Sequence, residues 1–565
     1  MDAAENSIGG ETLKQIISVL YGLGEQAGGV TRVSLTRTQA LAGPDIHSKM
    51  ALLSYDENLE TTFENLVAQG RISSEISIVN IYKWLAENNE LARKLRKNPT
   101  NSTLEHVKVK VRRRAEHINQ LDVKVVRYFT DDETLFLEEY YKGNGEFAMA
   151  ALFQSKAPTL KFNSLRTLQA YWLNEISKGY NTTHLIADAI HAAETICMVD
   201  APGTHKVLMM HSNHLMKPYT PGSEVASKYH GVIKSIPKAD RLVLLTHAQL
   251  SDLTEQFPCD RYRAIGNPIN VAESQSDVTR EKNLAVIVAR LHSIKRIKNM
   301  IKAFTKVVEA LPDAQLEIWG SGEQKDELQA EIEKLNASAS IKLMGFATDV
   351  SGIFRRASVS LAMSATEGFG VSFAESLAYG TPLVSIDTNY GPKEIITDGV
   401  DGFIVKTEKE FIEKTCLLLS NHELSVSMGK AGINNMERFH AETITQRWIE
   451  LFEEIESNPQ ATAQDSTTDD RTLTNTAASK FGWIYLPKTE DPATIDKYKT
   501  ASSVVIKQVL TSKKFLGEPT DLSEGIHEVD EMMLDAPKGL YRFRAMKHGT
   551  AYKGIIAAES VEFAI

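Results

Sequence analysis

The chain has 565 residues, 42% of them hydrophobic and 24% charged, and a formal net charge of −10. That length allows several domains with separate cores, and the composition is ordinary for globular proteins. The acidic balance argues against a general nucleic-acid binder, and no stretch is apolar and long enough to span a bilayer.

The amino terminus lacks a basic region followed by an apolar one, so no secretory leader is expected. Cys197, Cys259 and Cys416 are widely spread and without metal spacing. Reduced, buried thiols are expected of them, which favours a cytoplasmic location with at most peripheral contact at the inner face of the cell membrane.

A first α/β domain is expected over residues 1–75, interrupted and then resumed over 185–275. Residues 12–21 read as its first strand or the approach to it, Gly28 and Gly29 as the loop that follows, and 31–41 as the next helix. A Gly-Gly pair lets main chain approach a ligand with no Cβ in the way; a plain turn is the alternative.

Between 76 and 184 the pattern changes. Val107-Lys-Val-Lys-Val-Arg112 and Val123-Lys-Val-Val-Arg-Tyr-Phe129 alternate at period two, Asp131-Asp132-Glu133 makes a turn, and residues 135–141 and 146–153 return around Gly143-Asn-Gly145. Such spacing predicts an antiparallel β-rich insertion, and the two aspartates are read as turn residues, not as a metal pair. Exposed strand edges there would suit self-association. Lys108, Lys110, Arg112, Arg113 and Arg114 form a basic run, either a patch for a polyanion or the polar face of a strand.

The strand pattern resumes at 183–188 and 206–210, and His211 follows the latter strand at its carboxyl end, with His214 close behind. Residues 242–246 and 265–269 complete the first domain. A second α/β domain is expected over 276–456. Its strand at 284–289 is followed by Arg290 and Lys295, two cations five residues apart where ligands bind in open α/β sheets. Alone they could be surface cations. Further strands are expected at 316–320, ending in Gly320-Ser-Gly322, and at 341–346.

The most informative stretch is Glu367-Gly-Phe-Gly-Val-Ser-Phe-Ala-Glu375 after an apolar run ending in Ser358-Val-Ser-Leu-Ala-Met-Ser364. The order is strand, glycine turn, helix, so free N–H groups of Phe369, Gly370 and Val371 and a positive dipole end face a ligand. A diphosphate fits there, with a carboxylate on either side for hydroxyls, which is the layout of a nucleotide sugar. Residues 445–456 read as an amphipathic helix, 457–479 as a linker and 480–565 as a small β-rich accessory domain for binding or oligomerisation.

Arg290, Lys295, Glu367 and Glu375, with Gly320-Ser-Gly322 and Tyr390-Gly-Pro-Lys-Glu-Ile-Ile396, resemble the retaining glycosyltransferases of family 4, which have the GT-B fold of two Rossmann-like domains facing a cleft. The resemblance covers about residues 10–75 and 185–455. Glu25-Gln-Ala-Gly-Gly-Val-Thr-Arg32, Met210-His-Ser-Asn-His214 and the β-rich insertion are similar to the subgroup that glycosylates wall teichoic acid.

The resemblance implies retaining transfer from a UDP-sugar, glucose or N-acetylglucosamine, to poly(glycerol-phosphate) or poly(ribitol-phosphate), with no metal or other cofactor. It implies that the Gly28/Gly29 loop covers the substrates, that His211 lies near the anomeric carbon, that Asn267 sits at the domain crossover, and that the main chain of Gly345 and Phe346 reads the base. Arg290 and Lys295 would then stabilise the leaving diphosphate, Glu367 would hold the sugar hydroxyls and Glu375 the ribose. The insertion would mediate homo-oligomer formation and acceptor binding. A serine-rich protein acceptor, and a non-catalytic partner subunit that binds acceptor, are the alternatives.

Overall fold

The computed structural model describes residues 14–24, 29–88, 110–118, 123–153, 159–269, 280–457, 528–535, 540–547 and 550–557. Most of these form a unit holding two parallel sheets. The first sheet contains β1 (Lys14–Leu20), β2 (Ile46–Leu52), β3 (Ser77–Asn80), β9 (Thr182–Ala187), β10 (Thr204–Met210), β11 (Arg241–Leu244) and β12 (Tyr262–Ala264), in the order β12-β11-β10-β9-β1-β2-β3. The second contains β13 (Leu284–Val288), β14 (Gln315–Trp319), β15 (Ile341–Gly345), β16 (Val359–Ala362), β17 (Leu383–Ile386) and β18 (Gly402–Val405), in the order β15-β14-β13-β16-β17-β18.

In both sheets the first strand is central and the chain reverses direction of growth beside it, between β1 and β9 and between β13 and β16. That is the doubly wound topology, and each reversal opens a crevice at the strands' carboxyl ends. The central strands are buried because helices cover both faces: all of β1 after Lys14, including the polar Gln15 and Ser18, and the first four residues of the wholly apolar β13 are buried.

The first domain extends beyond the boundary expected at residue 75. β3 pairs with β2 in parallel from Lys49↔Ser77 to Leu52↔Asn80, and the helix Ile81–Asn88 follows it. The insertion proper is a five-stranded antiparallel sheet, β4 (Arg112–Ile118), β5 (Val123–Phe129), β6 (Leu135–Lys142), β7 (Phe147–Leu152) and β8 (Leu160–Phe162), in chain order. Ser164 then caps the helix Leu165–Ser177 through a capping box, returning the chain to β9, which starts at Thr182 instead of after 184. The insertion therefore occupies the crossover from β3 to β9, where the sheet order reverses.

A buried carboxylate pins the insertion to the first domain. Glu139 of β6 is 1% exposed and accepts from Tyr82 Oη at 2.7 Å, Tyr128 Oη at 2.9 Å and Tyr141 Oη at 2.8 Å. Tyr82 belongs to the helix after β3, so one carboxylate ties both parts together. Burial and the neighbouring Glu139 push the Tyr82 and Tyr128 hydroxyls well up, which keeps them as donors. Tyr55 adds a bond to the Val111 carbonyl at 3.0 Å and edge contacts to Tyr82.

The helix Ala441–Ser457 spans back from the second domain to the first. It buries Ile444, Trp448, Leu451, Phe452 and Ile455, a three-and-four spacing that makes one apolar face. Its polar end is clamped on the first domain: Glu454 pairs with Arg241 and Arg263, and Glu456 with Lys14 at 2.8 Å and His184 at 2.9 Å. Trp448 also lies 4.7 Å under the Arg37 guanidinium.

In a separate compact unit, β19 (Glu528–Asp535), β20 (Leu540–Lys547) and β21 (Thr550–Ala557) form an antiparallel meander. The rest of the accessory domain expected over 480–565, and the linker expected at 457–479 after its first residue, lie outside the described residues. No helix among the described residues is long and apolar enough to cross a membrane. All three cysteines are half-buried, less enclosed than expected.

Replacing Glu139 by Ala strands the buried phenol donors of Tyr82 and Tyr128 and removes the partner of half-buried Tyr141, and an unsatisfied buried donor costs about 1–3 kcal/mol. Urea unfolding of Glu139→Ala should show a loss of at least about 3 kcal/mol. A loss under about 1 kcal/mol would show that the phenols find other partners.

Candidate active site

The loops after β13 and β16 meet at the second domain's crevice. Their meeting depends on close backbone packing. A Cβ on Gly320 would lie 1.9 Å from the Ala289 carbonyl, and one on Gly322 would lie 2.3 Å from the Leu291 carbonyl. Leu291 N–H donates to the Ser321 carbonyl at 2.8 Å, fixing the loop that carries Arg290 and Lys295. Ala365 N–H then donates to the Ile294 carbonyl at 2.8 Å, joining that loop to the one after β16.

Lys295 and Glu367 are consequently in contact. Lys295 Nζ donates to Glu367 Oε1 at 2.5 Å and Ser364 Oγ to the same oxygen at 2.6 Å, and the Glu367 side chain is 9% exposed. Glu367 is also fixed by its main chain, donating to Asn389 O at 2.9 Å and accepting from Tyr390 N–H at 2.6 Å. Arg290 is exposed and makes no ion pair with a described residue. Its charge is available to a ligand.

The helix Val371–Ala378 begins at Gly370, whose φ of 90° is a left-handed value that favours glycine. Its first amides have no acceptor within the helix, so the turn offers donors where the sequence expected them. The Phe369 ring is 2% exposed and packs edge-to-face on Phe439 at 5.1 Å, leaving only the main chain of Phe369 for a ligand. Val371 is half-buried. One turn into the helix, Glu375 accepts from Arg32 of the first domain at 2.8 Å. Burial pushes the Glu375 carboxyl up and the Arg32 charge pulls it partly back.

The first domain contributes His211 at the carboxyl end of β10. Its Nε2 lies 2.9 Å from Asp188 Oδ1, and the other carboxylate oxygen accepts from Arg37. Asp188 follows β9 and is 2% exposed. Burial pushes its carboxyl up, but Arg37 and His211 outweigh burial and hold it below the usual carboxylate range. An ionised Asp188 makes Nε2 the protonated nitrogen of His211 and leaves Nδ1 for a second partner. Neither Asp188 nor Arg37 was singled out from the sequence; the placement of Asp188 just past the central strands was the available signal.

The remaining expected site residues are spread more widely. Gly29 starts the helix Gly29–Ala40 with open space at its Cα, while Gly28 lies outside the described residues. Asn267 is buried at 4% exposure just after β12. Gly345, with φ 87°, ends β15 and accepts from Gly320 N–H at 2.7 Å, and the Phe346 ring beside it is 48% exposed. His214 is fully buried and stacked on Tyr390, 6.2 Å between ring centres, which places it in the core and not at a ligand.

The basic run divides between the two faces of β4. Arg112 and Arg114 both pair with Glu133, whereas Arg113 lies over the Tyr55 ring at 5.5 Å. Lys110 is exposed just before β4, and Lys108 lies outside the described residues. No group of three or more His, Cys, Asp or Glu side chains among the described residues could hold a metal ion.

The two crevices face one another at close range. A Cβ on Gly368 would lie 2.2 Å from the His211 carbonyl and 2.7 Å from Ser212 Cα. His247 N–H and Nδ1 both reach Glu394, at 2.9 and 3.0 Å, and Asn389 Nδ2 donates to Tyr219 O at 3.3 Å. Gly368→Ala must therefore push the domains apart. A ligand held by both crevices should bind at least about tenfold more weakly, by the sensitivity of such sites to ångström displacements, while each domain keeps its fold by circular dichroism. Undiminished binding would show that this contact is not needed to hold the ligand.

Residues 270–435 match the family model described as Glycosyl transferases group 1. The chain is 28% identical over 302 residues to a poly(glycerol-phosphate) alpha-glucosyltransferase of Bacillus subtilis (strain 168), a match covering 51% of this chain and 43% of that protein. It is 21% identical over 493 residues to a poly(ribitol-phosphate) alpha-N-acetylglucosaminyltransferase of Staphylococcus aureus (strain COL), covering 78% of this chain and 100% of that protein. The chain thus spans less than half the length of the Bacillus relative and the whole of the Staphylococcus one.

Among solved structures, TarM superposes with a TM-score of 0.63 at 18% identity, covering 78% of this chain and 99% of that one. The pneumococcal O-GlcNAc transferase GtfA, in complex with UDP and GlcNAc, gives 0.58 at 18% identity, with the same coverage. The family match covers most of the second α/β domain, and the two α/β domains together make the GT-B fold of these structures.

Proposed function

We propose that the protein transfers glucose or N-acetylglucosamine from a UDP-sugar, with retention at the anomeric carbon, to poly(glycerol-phosphate) or poly(ribitol-phosphate) wall teichoic acid. The observation that carries the reading is the joining of the loop that bears Arg290 and Lys295 to the loop that bears Glu367 and leads into the helix start at Gly370, with Lys295 in contact with Glu367. The activities named for the Bacillus and Staphylococcus relatives support the choice of acceptor.

In this mechanism Arg290, Lys295 and the helix amides neutralise the charge that grows on the β-phosphate as the bond from the anomeric carbon to its oxygen breaks. Stabilising charge where it appears is usually the largest catalytic contribution. The acceptor oxygen attacks from the same face and its proton passes to the leaving phosphate oxygen. Glu367 takes sugar hydroxyls, and His211, oriented by Asp188, donates to a sugar hydroxyl or positions the acceptor. The cations take the role that a metal fills elsewhere, so transfer should persist in EDTA. Loss of activity in EDTA, restored by a divalent cation, would overturn that part.

Lys295→Ala should lower transfer about a hundred- to a thousandfold, by analogy with loss of one oxyanion donor, in a protein that still shows the wild-type circular dichroism spectrum at the assay temperature. Activity above about a tenth of wild type would count against the clamp. UDP release with purified teichoic acid, compared with a serine-rich peptide, decides the acceptor; turnover only on the peptide would favour a protein O-glycosyltransferase, a reading supported by the likeness to GtfA. Binding of acceptor without UDP release would favour a non-catalytic subunit.

We further propose that the insertion serves acceptor binding and homo-oligomer formation, using the exposed edge of β4. The enzyme is placed in the cytoplasm, at most peripheral to the membrane. Deleting the insertion should impair acceptor use or assembly more than UDP-sugar hydrolysis, measured side by side with the oligomer mass; equal loss of both would assign it to folding.

A further inference from the structure

Glu375 is held by a side chain from the opposite domain. Arg32 lies in the first turn of the helix Gly29–Ala40, directly after the glycine loop, and its Nη2 reaches Glu375 Oε1 at 2.8 Å. The Glu375 side chain is 15% exposed, so its charge is largely removed from water. A carboxylate in that setting needs a cation, and among the described residues its ion pair comes from the first domain. Arg71 stands near Arg32; burial, and secondarily the Arg32 charge, lowers the Arg71 value.

A carboxylate has about four acceptor positions on its two oxygens, and Arg32 is in contact with Oε1. Oε2 and the remaining lone pair of Oε1 suit two adjacent hydroxyls, the chemistry of a ribose 2′,3′-diol.

We propose that Arg32 is a donor-positioning residue: it holds the Glu375 carboxylate in place from across the cleft, so that recognition of the nucleotide's ribose depends on the first domain being closed on the second. The proposal rests on the reading of the site as a UDP-sugar site. Arg32 touches no reacting atom, and its effect is on donor affinity, not on bond cleavage. A merely structural ion pair between domains would affect stability without regard to what the ribose carries.

The probes are UDP and 2′,3′-dideoxy-UDP, titrated calorimetrically into the full-length protein. Wild type should prefer UDP by about tenfold or more, the range expected for hydrogen bonds to a charged acceptor. In Arg32→Ala that preference should shrink to about twofold or less, with KM for the UDP-sugar raised about tenfold and kcat changed less than threefold. Arg32→Lys should recover part of the preference, and Glu375→Gln should abolish it. Adding Arg32→Ala to Glu375→Gln should then change it no further.

An unchanged preference in Arg32→Ala overturns the proposal, whether or not the protein melts at lower temperature. If Arg32→Ala does not fold, the Arg32→Lys preference decides: a full wild-type preference with a shortened, differently shaped cation overturns it, and a reduced one supports it. Failure of wild type to bind either nucleotide is a different result, and it removes the glycosyltransferase reading itself.

Discussion

Three carboxylates are drawn largely out of water where the two sheets face each other, and the arrangement of the cleft follows from the cations they require. Glu367 is met by Lys295, Asp188 by Arg37 and Glu375 by Arg32. Removing a carboxylate from water costs several kcal/mol unless a partner and hydrogen bonds compensate. Once compensated, these groups have little freedom left. Their positions are set by folding before any substrate arrives, which is the condition for electrostatic groups to act without reorganisation. The three pairs differ in reach: Lys295 and Arg37 stay inside their own domains, whereas Arg32 crosses between them.

Backbone packing sets the distances that these charges exploit. Gly320 and Gly322 let one loop cross another, Gly391 lets the chain pass 1.9 Å, in Cβ terms, from the Phe369 carbonyl, and Gly368 seats the donor turn on His211. A side chain at any of these points would separate groups that have to be within hydrogen-bond range. The apolar core continues this joining: Phe369, Phe373 and Leu377 of the second domain share a cluster with Ile186, Val207 and Met209 of the first, and Trp448 of the returning helix lies among them. The cleft is therefore closed at its base by burial and at its rim by ion pairs.

Much of this was legible from local pattern. A parallel strand buried on both faces is a short continuous apolar run, so β13 and β16 announced themselves, and the glycines and charges just past them marked the crevice. β3 was harder, because four residues carry too little pattern to distinguish a sheet strand from the start of an insertion. Long-range partners left no local trace. Asp188 is 151 positions from Arg37, and Arg32 is more than three hundred from Glu375. His211 and His214 differ only in which way the turn after β10 aims them. The basic run left two readings open, a patch for a polyanion or the polar face of a strand, and period-two geometry sends Arg113 to the face opposite Arg112 and Arg114.

Charge distribution explains how an acidic chain can still select an anion. With a net charge of −10, the long-range field repels polyanions, and it is screened beyond about 8–10 Å at ordinary salt. Local charge then decides. Arg112 and Arg114 are matched by Glu133, and the three cleft cations are matched by their carboxylates. Arg290, exposed just past β13, is left without an ion pair among the described residues. With these pairs matched internally, attraction for an anion rests on such local groups, acting within a Debye length, and not on the overall field of the acidic chain.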